Sequence, residues 1–260
     1  MKLIEFTLET LSPVAFAEKN NDSTLYTTKK YITGTAMRGY LAQQFINYKK
    51  LGTEAHKDDD FYDIFLSGKV RFLPVYPIGS DSDNAQYEPF IIPPSMMRHK
   101  STGKIIDLSK EGTKIEVGYK KFSGFAVKKG SLICETDPKT QIQLHMARTK
   151  DDSRISGSSK DGDIFNYEFI EPHQFFKGCF AVSDEKTAQT LQSFLKGTAS
   201  TMHFGRSKQV QYGKCAFKLL GEKDCPPVKV DIAKSFYLYS CTPYIPFTQW
   251  QRTDIIAKDY

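Results

Sequence analysis

Two short segments carry the residue types that a polyanion requires. In Ile32-Thr33-Gly34-Thr35-Ala36-Met37-Arg38-Gly39-Tyr40 a glycine stands just ahead of an amphipathic stretch, with an arginine soon after it. Gly34 allows a tight turn that brings unpaired backbone N–H groups and the positive end of a helix dipole up to an anion. Arg38, in the first turn, reaches the same anion. The residues equally fit a plain tight loop whose Gly39 lets the helix sit close to a sheet. In His203-Phe204-Gly205-Arg206-Ser207-Lys208-Gln209-Val210-Gln211-Tyr212-Gly213-Lys214 two glycines frame cations, one hydroxyl and one flat ring. Phosphates of a single-stranded nucleic acid need cations and amides, and its unstacked bases need an aromatic face. A glycine-rich hairpin with solvated charges is the other reading.

The elements that must position these segments follow from period and punctuation. Leu3, Phe6 and Leu8 among polar Lys2, Glu5, Thr7 and Glu9 predict a strand over 2–11, ended by Ser12-Pro13. Met37, Tyr40, Leu41, Phe45 and Tyr48 recur at helical spacing and predict a helix over 35–50, capped by Thr33 or Thr35. Phe61 onward reads as a short apolar turn leading to a strand at Val70–Leu73. Residues 141–147, 165–170, 175–182 and 215–220 read as strands, and Lys186–Lys196 as a helix capped by Ser183-Asp184-Glu185 and stopped by Gly197. Asp58-Asp59-Asp60 reads as a solvated run that caps the following turn. With insertions set aside, the order is strand, helix, strand, strand, helix, strand. That is the split βαβ of an α+β ferredoxin-like (RRM-like) sandwich. It is expected over 1–225, with insertions at about 79–163, and 226–260 forms a C-terminal segment in which Phe236–Ser240 opens a partial second unit.

Composition bounds the rest. The chain has 260 residues, 40% hydrophobic and 13% aromatic, enough for a core and incompatible with disorder. Lys+Arg 36 against Asp+Glu 30 gives a net charge of +6, which permits an anionic partner without demanding one. The excess concentrates in a stretch read as irregular, Pro93–Lys129, which includes Arg98 and Lys100. Five Cys without a Cys-x-x-Cys pair argue for reduced thiols in a cytosol. No apolar stretch approaches the roughly 20 residues of a membrane span, and Glu5 interrupts what a secretory signal would keep apolar. A cytoplasmic protein without membrane contact is expected.

Together these residues resemble the RAMP proteins of CRISPR-Cas effector complexes. Phe204-Gly205-Arg206-Ser207-Lys208 with Tyr212-Gly213-Lys214 is similar to their signature loop, and Tyr31 to Ala42 to the motif opening their first helix. Phe61 to Phe72, Pro93-Pro94-Ser95 and His145 to Phe165 narrow the likeness to the Csx-ten group, the Cas-five-like RAMP subunit of type III-D complexes. The resemblance covers about residues 3–220, and the chain stops at Tyr260 where that group usually continues into a fuller second half.

This likeness implies a RAMP fold, and a subunit that holds the 5′ repeat-derived handle of a CRISPR guide RNA and caps an antiviral ribonucleoprotein. Its implied partners are other RAMP subunits and the large subunit, with target RNA nearby. Gly34, Thr35, Arg38, Gly205, Arg206, Ser207, Lys208 and Gly213 would meet the RNA backbone, with Tyr212 supporting a base. Arg98, Lys100, Arg148, Lys150 and Arg154 would reach the guide or a neighbour from the insertions, as a thumb-like hairpin does. No cofactor, no metal and no catalytic residue are expected. The enzyme alternatives are metal-assisted target-RNA cleavage using Asp22, in a loop comparable to that of backbone RAMP subunits, and repeat-RNA processing by His145 or His203 as acid–base groups.

Overall fold

The computed structural model describes residues 1–18, 25–110, 112–146, 164–198, 200–205, 212–225, 247–248 and 251–252. The frame is built from β1 (Lys2–Thr10), α1 (Gly34–Lys49), β2 (Val70–Phe72), β3 (Phe175–Val182), α2 (Glu185–Thr198) and β4 (Lys214–Asp224). The strands lie in the order β4-β1-β3-β2, each antiparallel to its neighbour, and Thr201–His203 extends the sheet beyond β4. This is the ferredoxin-like α+β sandwich with large insertions that the sequence predicts. Residues 73–174 all fall between β2 and β3, where the simplest version of the fold has a hairpin.

Period two decides which residues of β1 face the helices. Ile4, Phe6 and Leu8 are fully buried there, while Leu3 shares the opposite face with Glu5 and Thr7. The sequence reading groups Leu3 with Phe6 and Leu8; Ile4 takes that place. Phe6 stacks on Phe180 at 4.6 Å and on Phe217 at 5.2 Å, one ring from each flanking strand. Met37, Leu41 and Phe45 of α1 and Ala188, Leu191, Phe194 and Leu195 of α2 complete the same core.

Helix ends follow side-chain chemistry. Thr33 Oγ1 accepts the Ala36 N–H at 3.2 Å, and Asp184 Oδ1 accepts that of Thr187 at 2.9 Å. Lys50, expected inside α1, is instead its left-handed cap at φ 57°. Asp58 caps the next turn through the Phe61 N–H at 2.9 Å and, with Asp60, binds the Lys49 ammonium. Two expectations need correcting. Asp59–Leu66 is helical, an α turn running into a π turn, because Asp58 supplies the start signal and Ile64 and Phe65 face the core. The stretch 93–129 is not irregular: it holds Met96–His99, Ile105–Asp107, Tyr119–Lys121 and Phe125–Lys129, strands too short to show a period.

The chain divides into two compact units, residues 1–90 with 124–227 and residues 91–123 with 228–260. The first contains the frame and a second sheet. In that sheet Thr140–Met146 pairs antiparallel with Ile164–Ile170, which runs parallel to Leu25–Thr28, and Ala17–Glu18 lies at the edge. In the second unit Met96–His99 pairs with both Ile105–Asp107 and Tyr119–Lys121. Phe236–Ser240 lies outside the described residues. Among the described residues no helix is long and apolar enough to cross a membrane.

On the sheet face away from the helices sits an ion cluster. Lys177 of β3 lies 3.6 Å from Glu5 of β1 and 3.0 Å from Glu88, and Lys223 of β4 is 2.6 Å from both carboxylates. Burial would raise the Glu88 carboxyl, but the hydrogen bonds and charges of the Lys223 and Lys177 ammonium groups overcome it and hold Glu88 down at about 2, against an ordinary 4.5. Between those values the unfolded chain binds the proton and the native one does not. The contribution of Glu88 is therefore complete above pH 4.5 and lost as pH falls toward about 2. Glu88 is 63% exposed, so salt screens part of the effect. Acid unfolding followed by circular dichroism should show Glu88→Gln converging with wild type as pH drops through this window. A constant difference would refute it.

Candidate nucleic-acid interface

The two segments singled out in the sequence are joined at one surface of the first unit. Ile32 exchanges backbone hydrogen bonds with Val75 at 3.1 and 2.9 Å, which fixes the entry to α1. Gly34 is buried directly beyond it, and a Cβ there would lie 1.8 Å from the Phe72 carbonyl oxygen. The helix begins flush against β2 only because that atom is missing. Thr35, Arg38 and Gly39 of the first turns are exposed.

One turn on, Tyr40 leans against Phe204 at 5.0 Å and donates its hydroxyl to the Thr201 carbonyl at 3.3 Å. Burial pushes the Tyr40 phenol up. Phe204 donates its N–H to the Gly213 carbonyl at 2.8 Å, and Gly213 donates its own to Pro13 at 2.7 Å. Gly205 and Gly213 have φ of +78° and +88°, and a Cβ on either would approach a backbone oxygen, that of Ala15 at 2.4 Å or Phe204 at 1.9 Å. These glycines make the neck of the loop. The Gly213 amide that the sequence reading offers to a phosphate is already given to Pro13.

Two depressions flank the start of α1, and Thr35 belongs to both. The larger, about 680 Å³, is bounded on the helix side by Thr35, Gly39, Gln43 and Gln44 and on the loop side by His203, Phe204 and Gly205. Among the described residues no Asp, Glu, Lys or Arg lines it. The smaller, about 310 Å³, has Gly34, Arg38, Gly68 and Arg71 in its wall. Two guanidiniums therefore serve one depression that, among the described residues, has no carboxylate in its lining, while the neighbouring Lys69 ammonium is held by Asp63 at 2.7 Å. Arginine presents a planar fork of donors that matches two phosphate oxygens.

The remaining sequence candidates divide by location. Tyr212 follows the loop; its hydroxyl donates to Gln143, and its ring lies 5.9 Å from Phe169. It thereby ties the loop neck to the hairpin of Thr140–Met146 and Ile164–Ile170. His203 is exposed on the larger depression. Arg98 and Lys100 lie in the second unit, where the Arg98 guanidinium covers the Phe122 ring at 5.1 Å. Arg206, Ser207, Lys208, Arg148, Lys150, Arg154 and Asp22 lie outside the described residues, as does the side chain of His145. Among the described residues no group of three or more His, Cys, Asp or Glu is placed to hold a metal ion.

Sequence reasoning misses Arg71, Gln43 and Gln44. Arg71 carries a readable signal, a lone cation between Val70 and Phe72 that period two turns to the other side of the strand. Gln43 follows Thr35 and Gly39 at successive steps of four along one helix face.

No protein-family model matches the chain, and no curated protein matches it. Solved structures do. A chain in the cryo-EM structure of type III-B Cmr-beta in its apo state aligns over 84% of this chain and 97% of its own, with TM-score 0.50 and 8% identity. A chain of type III-B Cmr-beta bound to cognate target RNA aligns over 84% and 96%, again with TM-score 0.50 and 8% identity. A chain of a type IV-B CRISPR complex covers 96% of this one and 97% of its own at 11% identity, with TM-score 0.46. At such identities the Cmr-beta likeness is one of fold: a ferredoxin-like α+β sandwich with insertions.

Proposed function

We propose that this chain is a guide-RNA-binding subunit of a type III CRISPR-Cas effector complex, and that it holds the 5′ repeat-derived handle and caps the assembly without cleaving RNA. The observation that carries the reading is the meeting of two glycine-containing segments, more than 160 residues apart, around one surface with Arg38 and Arg71 beside it. Arg38 and Arg71 bind phosphate oxygens, and the loop between Gly205 and Gly213 adds Arg206, Ser207 and Lys208. The buried glycines fix the geometry. Fold likeness to chains of type III-B Cmr-beta supports the assignment to such a complex, and the motif resemblance supports the type III-D cap.

Titration of labelled repeat-derived RNA at several salt concentrations tests this. About four neutralised phosphates give a log–log slope of roughly −3, at about −0.7 per contact for single strands. Arg206→Ala with Lys208→Ala should lower both affinity and slope. Binding no better than to a neutral polymer, or an unchanged slope, would overturn the reading. His203 on the larger depression keeps one catalytic alternative concrete. Precursor and target RNA incubated with and without EDTA should stay intact with the assembled complex, and with Asp22→Ala, His145→Ala and His203→Ala alike. Cleavage abolished by one of these substitutions would make the chain a nuclease.

A further inference from the structure

Gly39 is the residue at this surface that the protein itself does not explain. It lies within α1, where glycine is disfavoured against alanine because it loses more backbone freedom on folding. Gly34 and Gly213 repay that cost through backbone oxygens that leave no room for a Cβ. Among the described residues a Cβ on Gly39 would meet no atom within 4 Å. The packing of helix on sheet, offered for Gly39 by the sequence, does not require it.

Gly39 stands on the rim of the larger depression, between Thr35 and Gln43 and across from His203. Among the described residues the lining of that depression is polar and carries no Asp, Glu, Lys or Arg. The described lining offers a phosphate no cation, whereas it presents carboxamides to the neutral edge of donors and acceptors that a nucleobase brings. Its volume of about 680 Å³ lies inside the range of small-molecule sites, ~300–1,000 Å³. Gln43 Nε2 donates to Asn47 at 3.2 Å, which orients its carbonyl oxygen as an acceptor, and Gln44 adds a second carboxamide. Such groups pair with base edges, and the exposed imidazole of His203 supplies a π-face. Resting on the RNA-binding reading above, we infer that one unstacked base of the bound strand enters this depression. The strand crosses α1 in van der Waals contact with the bare backbone of Gly39, Gln43 and Gln44 read the base edge, and Arg38 and Arg71 hold a phosphate on the other flank.

The test uses the full chain with short U, A and C homopolymers and an abasic ribose-phosphate oligomer of equal length. Gly39→Ala should raise Tm by about 2–3 °C, since alanine favours the helix, yet bind base-bearing RNA about tenfold more weakly, ~1.4 kcal/mol. Its binding of the abasic oligomer should match wild type. Gln43→Ala with Gln44→Ala should erase the preference among homopolymers and keep the salt slope. Salt-dependent RNA binding by wild type with Gly39→Ala unchanged, or wild-type binding of the abasic oligomer as tightly as of base-bearing RNA, overturns the base pocket alone. Absence of any salt-dependent RNA binding by wild type overturns the RNA-binding reading and the pocket with it.

Discussion

Alanine at both Arg38 and Arg71 is expected to weaken binding of single-stranded RNA about a hundredfold and to flatten its log–log salt dependence by about 1.4. The second figure is two lost phosphate contacts at roughly 0.7 each. The first takes the low end of what a charge-assisted hydrogen bond contributes, about 1.5 kcal/mol per arginine, because both side chains are exposed. Arg38→Lys with Arg71→Lys should restore the slope but not the whole affinity, since an ammonium keeps the charge and loses the two-pronged fit. Alanine at Lys186, in the first turn of α2, should alter neither. A double alanine variant that keeps the wild-type slope would mean that these guanidiniums do not face the nucleic acid.

Gly34→Ala is expected to destabilise the fold by about 3 kcal/mol, at the upper end for an overpacked site, and to lower Tm by roughly 6 °C or more. The Cβ would be placed 1.8 Å from the Phe72 carbonyl oxygen. That neighbour is backbone in a paired strand, so α1 must lift off β2 to admit it. RNA binding should then fall in proportion to the unfolded fraction and recover on cooling, as urea and thermal denaturation together would reveal. A variant that melts like wild type but has lost RNA affinity would assign Gly34 to direct contact instead.

Local signals carried far because several were redundant. Thr33, Asp184 and the residues of Phe175–Val182 lie where capping chemistry and punctuation put them, and the strand-helix order alone led to the ferredoxin-like antiparallel sandwich. Other features were hidden for reasons of physics. Leu3 and Ile4 are interchangeable by hydrophobicity, and only the pairing register decides which faces the helices. The strands between residues 93 and 129 span three to five residues each, too few to reveal alternation. The glycine-containing motifs were visible, but their division of labour was not, because the Phe72 and Ala15 carbonyls that exclude a Cβ on Gly34 and Gly205 come from remote segments. Arg71 becomes a candidate only when β2 lies beside the first turn of α1.

The arrangement of β1 also has a consequence for synthesis. Its two partners are β3 and β4, so that Leu8 pairs with Phe176 and with Phe217. At ~5–20 residues per second, β1 leaves the ribosome on the order of 10–30 s before β3 exists to pair with it. For that interval a strand bearing Ile4, Phe6 and Leu8 has both hydrogen-bonding edges open, the condition in which nascent chains cross-pair. The closing step joins segments at the two extremes of the frame, a high contact order that slows folding. Yield of intact protein will therefore depend on translation speed and on chaperones that shield the amino-terminal strand.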